Sequence, residues 1–273
     1  MAAADVVAGL LADLAAESAV VDGLVAGLVA EEWARATPAE GWTVAHQIAH
    51  LAWTDDWTAL AARDPDGFRA ALSGEGRCGE LAAAGVDPVE AGAQEGAAVA
   101  PAQLLERWRT GRAEVAAALA AAPADARLPW FGPPMKPASM ATARLMETWA
   151  HGQDVADALG AAREPTDRLR HIAHLGLRTL GFAFALHGLP APDQPVRLEL
   201  TGPDGSLWTF GPAEAADVVA GPALDFCLLV TQRRHRDDLA LTATGPVATA
   251  WLPIAQVFAG APGKGRAPQG RPA

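Results

Sequence analysis

The sequence predicts a mainly α-helical protein, a helical bundle over residues 1–190 followed by a small α+β domain at 194–259 and a disordered tail at 260–273. Two patterns predict this. Apolar residues recur at three- and four-residue spacing through the first two thirds of the chain, punctuated by Pro and Gly, and beyond residue 195 the texture changes to strand-like alternation around a tight turn. A chain of 273 residues is long enough for one large domain or two smaller ones, and a fold of this size buries roughly three quarters of its unfolded surface.

From Asp5 to about Ala34, Val6, Val7, Leu10, Leu11, Leu14, Val21, Leu24, Val25 and Leu28 fall on the spacing of a core-facing helix. Thr43 can cap a second helix running through Val44, Ile48, Leu51 and Leu60 and ending before the Asp-Pro-Asp-Gly of 64–67. Residues 73–86 are Gly-rich and read as a loop. Asp87, Pro88 and Glu90 mark a helix start, with Pro at the first helical position and acid near the positive end of the dipole. Pro101 restarts or kinks that element, which continues through Leu104, Leu105, Trp108, Val115 and Leu119. A Pro-rich connection over 123–137 leads to a fourth helix, about 139–159, stopped by Gly160. A fifth runs from about Asp167 to His187 and ends at Gly188. Alternation at 196–200, the Pro-Asp-Gly turn at 203–205 and the apolar run at 207–210 predict a hairpin. Strand-like runs follow at 225–231 and 238–243, and 246–258 reads as helical.

The composition excludes several functions. A formal net charge of −11 opposes a phosphate-tracking surface, which needs clustered Lys and Arg. Arg233, Arg234, His235 and Arg236 form the one dense basic run, too short for a nucleic-acid face and ordinary for a solvated loop. Cys78 and Cys227 are far apart and make no disulfide framework, which points to a reducing compartment. The first residues carry no basic segment of the kind that opens a signal peptide, and no apolar run approaches about 18 residues, so a soluble cytoplasmic protein without membrane or nucleic-acid partners is expected. With two Lys against 19 Arg, and neither Asn nor Tyr, the codon usage is that of a GC-rich genome, such as an actinobacterium's.

Chemistry concentrates at two places. Glu147, His151 and Asp154, at i, i+4 and i+7, project from one face of the fourth helix. His46 and His50 stand one turn apart on the second, with Trp53 and Trp57 continuing their stripe. A metal ion needs three or four donors converging from at least two elements, and helical bundles build such sites from facing helices. Either pair alone is commonplace as a surface link or a core histidine. Their joint occurrence within apolar stretches, where an unpaired imidazole or carboxylate is costly, favours a metal site. His171, His174 and His187 read as structural or solvated.

Residues 41–51, GWTVAHQIAHL, resemble the metal-site helix of the mycothiol-dependent maleylpyruvate isomerase family, a branch of the DinB-like metalloproteins, with its Trp-Thr-Val start and His-Leu end. Residues 147–160, ETWAHGQDVADALG, resemble the second motif of that family, and the helical order matches over residues 1–190. The resemblance implies metal-ligand roles for His50, Glu147 and His151, and none for His46, where relatives place another polar residue. It further implies a DinB-like bundle, and for the second part the small sterol-carrier-like domain appended to those isomerases. Residues 225–235, DFCLLVTQRRH, are similar to an actinobacterial branch known only as metal-binding. The scaffold hosts isomerases and thiol S-transferases alike, so the fold does not choose a reaction.

Three protein donors leave an open position, the catalytic pattern for zinc, although two His and one Glu also accept nickel or iron. Zinc is the expected metal. A divalent ion there activates either a thiol or water, and the resemblance implies the thiol, mycothiol, attacking a small electrophile in a cis–trans isomerisation or an S-transfer. Asp154 is placed to hold an imidazole or a solvent molecule, against the plainer reading of a solvated carboxylate. Arg233 and Arg234 could clamp a carboxylate of substrate or thiol. Trp53 and Trp57 either wall the pocket or belong to the core. Two rival functions stand beside this one: a metal-assisted hydrolase that uses no thiol, and a non-catalytic small-molecule-binding protein whose metal fixes the bundle. Either a monomer or a homodimer fits the sequence.

Overall fold

The computed structural model describes residues 3–74 and 76–270. The chain divides into two compact units, Met1–Arg163 and Glu164–Ala273.

The first unit is built from helices, with two isolated antiparallel bridges, Ala36 to Thr43 and Leu128 to Met135, in its connections. Helix α1, Ala3–Val25, buries Val7, Leu10, Leu14, Val21 and Val25, the apolar stripe read from the sequence. It stops earlier than expected, and after a turn at Ala26 and Gly27 the short α2, Ala30–Trp33, buries Trp33. Helix α3, Val44–Arg63, starts at Thr43 as expected. The Asp-Pro-Asp-Gly segment ends α3 and at once starts α4, Pro65–Leu72, because Asp64 Oδ1 accepts from the Gly67 amide and Pro65 takes the first helical position. The stretch expected to be loop holds α5, Arg77–Ala83. Asp87 caps α6, Pro88–Ala97, through the Val89 amide, and Pro101 opens a separate α7, Pro101–Ala121. Helix α8, Pro137–Leu159, is terminated by Gly160 in the left-handed conformation at φ 63°.

Helix α3 is the hub of this unit, packed on α6, α7 and α8, while α1 packs on α8 and α7. Val21, Val25, Trp33, Val44, Ile48, Leu51, Leu104, Trp108 and Val155 form one core, and each large side chain so buried contributes roughly 1.5–3 kcal/mol. Helix α6 approaches α3 closely because Gly92 and Gly96 face it. A Cβ at Gly92 would lie 2.4 Å from the Trp53 indole, and one at Gly96 2.7 Å from Ala49 Cβ. Two ion pairs lie in the interior: Arg163 bonds Glu17, and Arg144 bonds Asp55. Among the described residues no helix is long and apolar enough to cross a membrane.

In the second unit α9, Leu169–Arg178, and α10, Leu180–Leu186, replace the single fifth helix that was expected. Helix α9 was expected with the bundle, yet it groups with residues 164–273. Its buried face, Leu169, Ile172, Ala173 and Gly176, packs on α11, Ala223–Val230, where a Cβ at Gly176 would meet Phe226 and Val230. Strands β1, Val196–Thr201, and β2, Leu207–Phe210, form the expected antiparallel hairpin. Strand β3, Asp217–Pro222, was not foreseen; it pairs parallel to β1 and antiparallel to β4, Thr242–Thr244, giving the order β2-β1-β3-β4. The run at 225–231, expected as a strand, is the buried helix α11, an ambiguity inherent in short all-apolar runs. Helix α12, Pro246–Trp251, passes into a 3-10 turn at Leu252–Ile254. The tail has no helix or strand up to Gly270, but the amides of Gln269 and Gly270 donate to the Asp238 carboxylate. The described residues are mainly helical, with one small sheet among them in the second unit.

Candidate metal centre

Two helices bring the candidate donors together. His50 projects from the second turn of α3, Glu147 and His151 from adjacent turns of α8, and the two helices pack against each other. His50 Nε2 lies 3.6 Å from Glu147 Oε2 and His151 Nε2 lies 3.1 Å from the same oxygen. The three candidate ligand atoms all fall within 4.8 Å of one another. His50 is 8% exposed, and its Nδ1 is buried without a hydrogen-bond partner.

Burial alone would raise the Glu147 pKa, but hydrogen bonds from His151 and His50, with their charges, outweigh it and hold the carboxyl well below the usual range. The cluster therefore offers an ionised carboxylate and two imidazoles aimed at it. That is the donor chemistry a divalent ion such as zinc needs, and a buried imidazole with one bare nitrogen has little other purpose in a core. The residues fit a metal.

The surroundings order this cluster. Gln47, fully buried on α3, meets His151 Nδ1 through its Oε1 at 2.6 Å. The Trp42 ring sits over both imidazoles, 5.4 Å from His50 and 6.0 Å from His151 between centroids, stacked on the latter at 24°. Its indole N–H donates to Glu90 Oε2 on α6 at 2.9 Å. The sequence reading assigns no role to Gln47, and Trp42 enters it only as the start of the Trp-Thr-Val motif. The signal was available for Gln47, which stands three residues before His50 and so shares its helical face.

His46 stands apart from the three. Its Nδ1 accepts from the Thr43 amide at the start of α3, and its Nε2 donates to Gln94 Oε1 on α6 at 3.0 Å. Asp154 is buried on α8, one turn beyond His151, and Gln47 bonds the His151 ring from α3. Arg233 and Arg234 belong to the second unit, where they follow α11 and donate to the carbonyls of Thr231 and Arg233. Trp53 and Trp57 join Phe68, Trp130 and Phe131 in an aromatic cluster, with Trp53 and Trp57 each within 5.4 Å of the Phe131 ring centroid.

Residues 14–156 match the family described as mycothiol maleylpyruvate isomerase N-terminal domain, and residues 192–244 match one described as wyosine base formation. Two proteins of Mycobacterium tuberculosis, from strains CDC 1551 / Oshkosh and ATCC 25618 / H37Rv and both called uncharacterized, are each 52% identical over 259 residues, covering 94% of this chain and 97% of theirs. Crystal structures of the mycothiol-dependent maleylpyruvate isomerase and of a histidine mutant of it superpose with a TM-score of 0.58 over 89% of this chain and 95% of that one; at 16% and 17% identity the likeness is one of fold. With the match to the first family spanning more than half of its residues, the chain belongs to the family of the mycothiol maleylpyruvate isomerase N-terminal domain.

Proposed function

We propose that this protein is a metal-dependent enzyme that activates a low-molecular-weight thiol, mycothiol, for addition to a small electrophile, as an S-transferase or a cis–trans isomerase. The observation that supports it is the convergence of His50, Glu147 and His151 from two packed helices, with all three candidate ligand atoms within 4.8 Å. Family membership supports the choice of thiol. A divalent ion held by these residues, zinc being the one expected, would lower the pKa of a thiol and supply thiolate near neutral pH.

The chain's own residues do the rest. Glu147 contributes the single negative charge of the donor set, so the loaded site keeps a net positive charge that favours an anionic sulfur. Trp42 covers the two imidazoles on one side and restricts water there. Asp154, buried beside these donors on α8, supports them, and Arg233 and Arg234 bind an anionic group of substrate or thiol.

The test is to load the protein with cobalt and titrate mycothiol while recording the thiolate-to-metal charge-transfer band. The band should appear with the wild-type protein and be lost with His50→Ala. Its absence at saturating thiol, together with turnover of a hydrolysable substrate in the absence of thiol, would replace this reading by a metal-assisted hydrolase.

A further inference from the structure

The hydrogen bonds behind His151 have a direction that can be counted out atom by atom. Thr37 Oγ1 lies 2.9 Å from the Trp42 carbonyl oxygen. That oxygen carries no hydrogen, so the hydroxyl donates and its one hydrogen is committed. Thr37 Oγ1 can then only accept from Gln47, whose amide lies 2.9 Å away. The Gln47 NH2 must therefore face Thr37, and its carbonyl must face His151 Nδ1 at 2.6 Å. A carbonyl only accepts, so Nδ1 carries a hydrogen, and in a neutral ring the lone pair is left on Nε2. Nε2 is the atom that points at Glu147, to whose carboxylate it donates a hydrogen in the absence of a metal, and a metal ion takes the place of that hydrogen. Gln47 is 0% exposed, so water cannot stand in for either partner.

We propose that Gln47, with its amide polarity locked by Thr37, is a positioning residue that fixes His151 in the Nδ1–H tautomer and so presents Nε2 to the metal. This rests on the metal reading above. Turned over, the Gln47 amide would offer N–H to Nδ1, move the ring hydrogen to Nε2 and remove the ligand atom. The alternative is a structural tether, in which Gln47 and Thr37 merely fasten the segment at 36–43 to α3. The two roles differ in what they affect: a tether governs thermal stability, whereas a tautomer lock governs metal affinity.

The experiment measures zinc dissociation constants by chelator competition, together with melting of the metal-free protein, for wild type, Gln47→Leu, Thr37→Val, Thr37→Ser, Gln47→Glu and the pair Gln47→Glu/Thr37→Val. Gln47→Leu should weaken zinc about 10–100-fold. Thr37→Val should weaken it by less, since it frees the amide to turn over, and Thr37→Ser should bind as wild type. A carboxylate accepts whichever way it lies, so Gln47→Glu should retain zinc and should make Thr37→Val harmless in the pair. Wild-type affinity in Gln47→Leu, or a Thr37→Val variant that loses melting temperature alone, would overturn the proposal. If wild type binds no zinc, the metal reading has failed. The 15N spectrum of His151 in the metal-free protein then decides this proposal by itself: a hydrogen on Nδ1 supports it, and a bare Nδ1 with hydrogen on Nε2 alone refutes it.

Discussion

Arg144 Nε donates to Asp55 Oδ1 at 3.1 Å in the interior of the bundle, where the two side chains are 2% and 7% exposed. The pair ties α8 to α3 one turn before Glu147 and little more than one turn after His50, so it braces the helices that carry the candidate donors. Removing one partner strands a buried charge. Asp55→Ala is expected to cost about 3–5 kcal/mol in urea unfolding, whereas Asp55→Leu with Arg144→Met should recover most of that. A single variant within about 0.5 kcal/mol of wild type would show that water reaches the pair.

Helix α6 is held against α3 by the absence of side chains at Gly92 and Gly96. Gly92→Ala places a methyl 2.4 Å from the Trp53 indole, which requires that ring or helix α6 to shift. The expected penalty is about 1–3 kcal/mol, read from thermal or urea unfolding. Because Glu90 and Gln94 on the same helix bond Trp42 and His46, the shift should also alter tryptophan emission. Unchanged stability would mean that α6 moves freely.

The bundle was legible because its helices carry local signals: Thr43 and Asp87 at starts, Gly160 at an end, and three-four spacing between them. His50, Glu147 and His151 were legible as two motifs whose meeting depended only on α3 packing on α8. Residues 225–231 were misread because an unbroken apolar run fits a buried strand or a buried helix equally, and only packing on α9 decides. Strand β3 carries Ala, Gly and Pro among its six residues and takes its identity from pairing with β1 and β4. The parts Gln47 and Trp42 play at the site were not read, because they rest on long-range contacts to His151 and Glu90 that only the packing of α8 and α6 on α3 creates.

Acid stability should carry the signature of Asp22. The hydrogen bond from Arg109 is the largest influence on it and, with Arg112, overcomes burial and lowers its pKa. A carboxylate with a depressed folded pKa adds stability that is present above its unfolded value, about 3.9, and is lost as pH falls through the folded value. Asp22→Asn should therefore lie below wild type by a constant margin at pH 6 and converge with it as pH drops below about 3.9. Asp55 acts in the opposite sense, because burial, only partly offset by Arg144 and His50, raises its pKa and makes its contribution fall as pH rises through that range. Unfolding free energies measured from pH 3 to 6 separate the two, and a margin for Asp22→Asn that stays constant down to pH 3 would exclude the ion pair as its source.

Metal content should distinguish the two histidines of α3. Both nitrogens of His46 are committed, Nδ1 to the Thr43 amide and Nε2 to Gln94, so binding an ion would break a helix cap and a bridge to α6. His50 has made no such commitment: its Nδ1 has no partner and its Nε2 faces Glu147. About one divalent ion per chain is therefore expected from elemental analysis. His151→Ala and His50→Ala should each remove most of it, because two remaining donors leave the ion to exchange with buffer. His46→Ala should retain the metal, at a cost of about 0.5–2 kcal/mol in stability for the lost cap. Full metal content in His151→Ala, or its loss in His46→Ala with the fold intact, would move the site to a different set of donors.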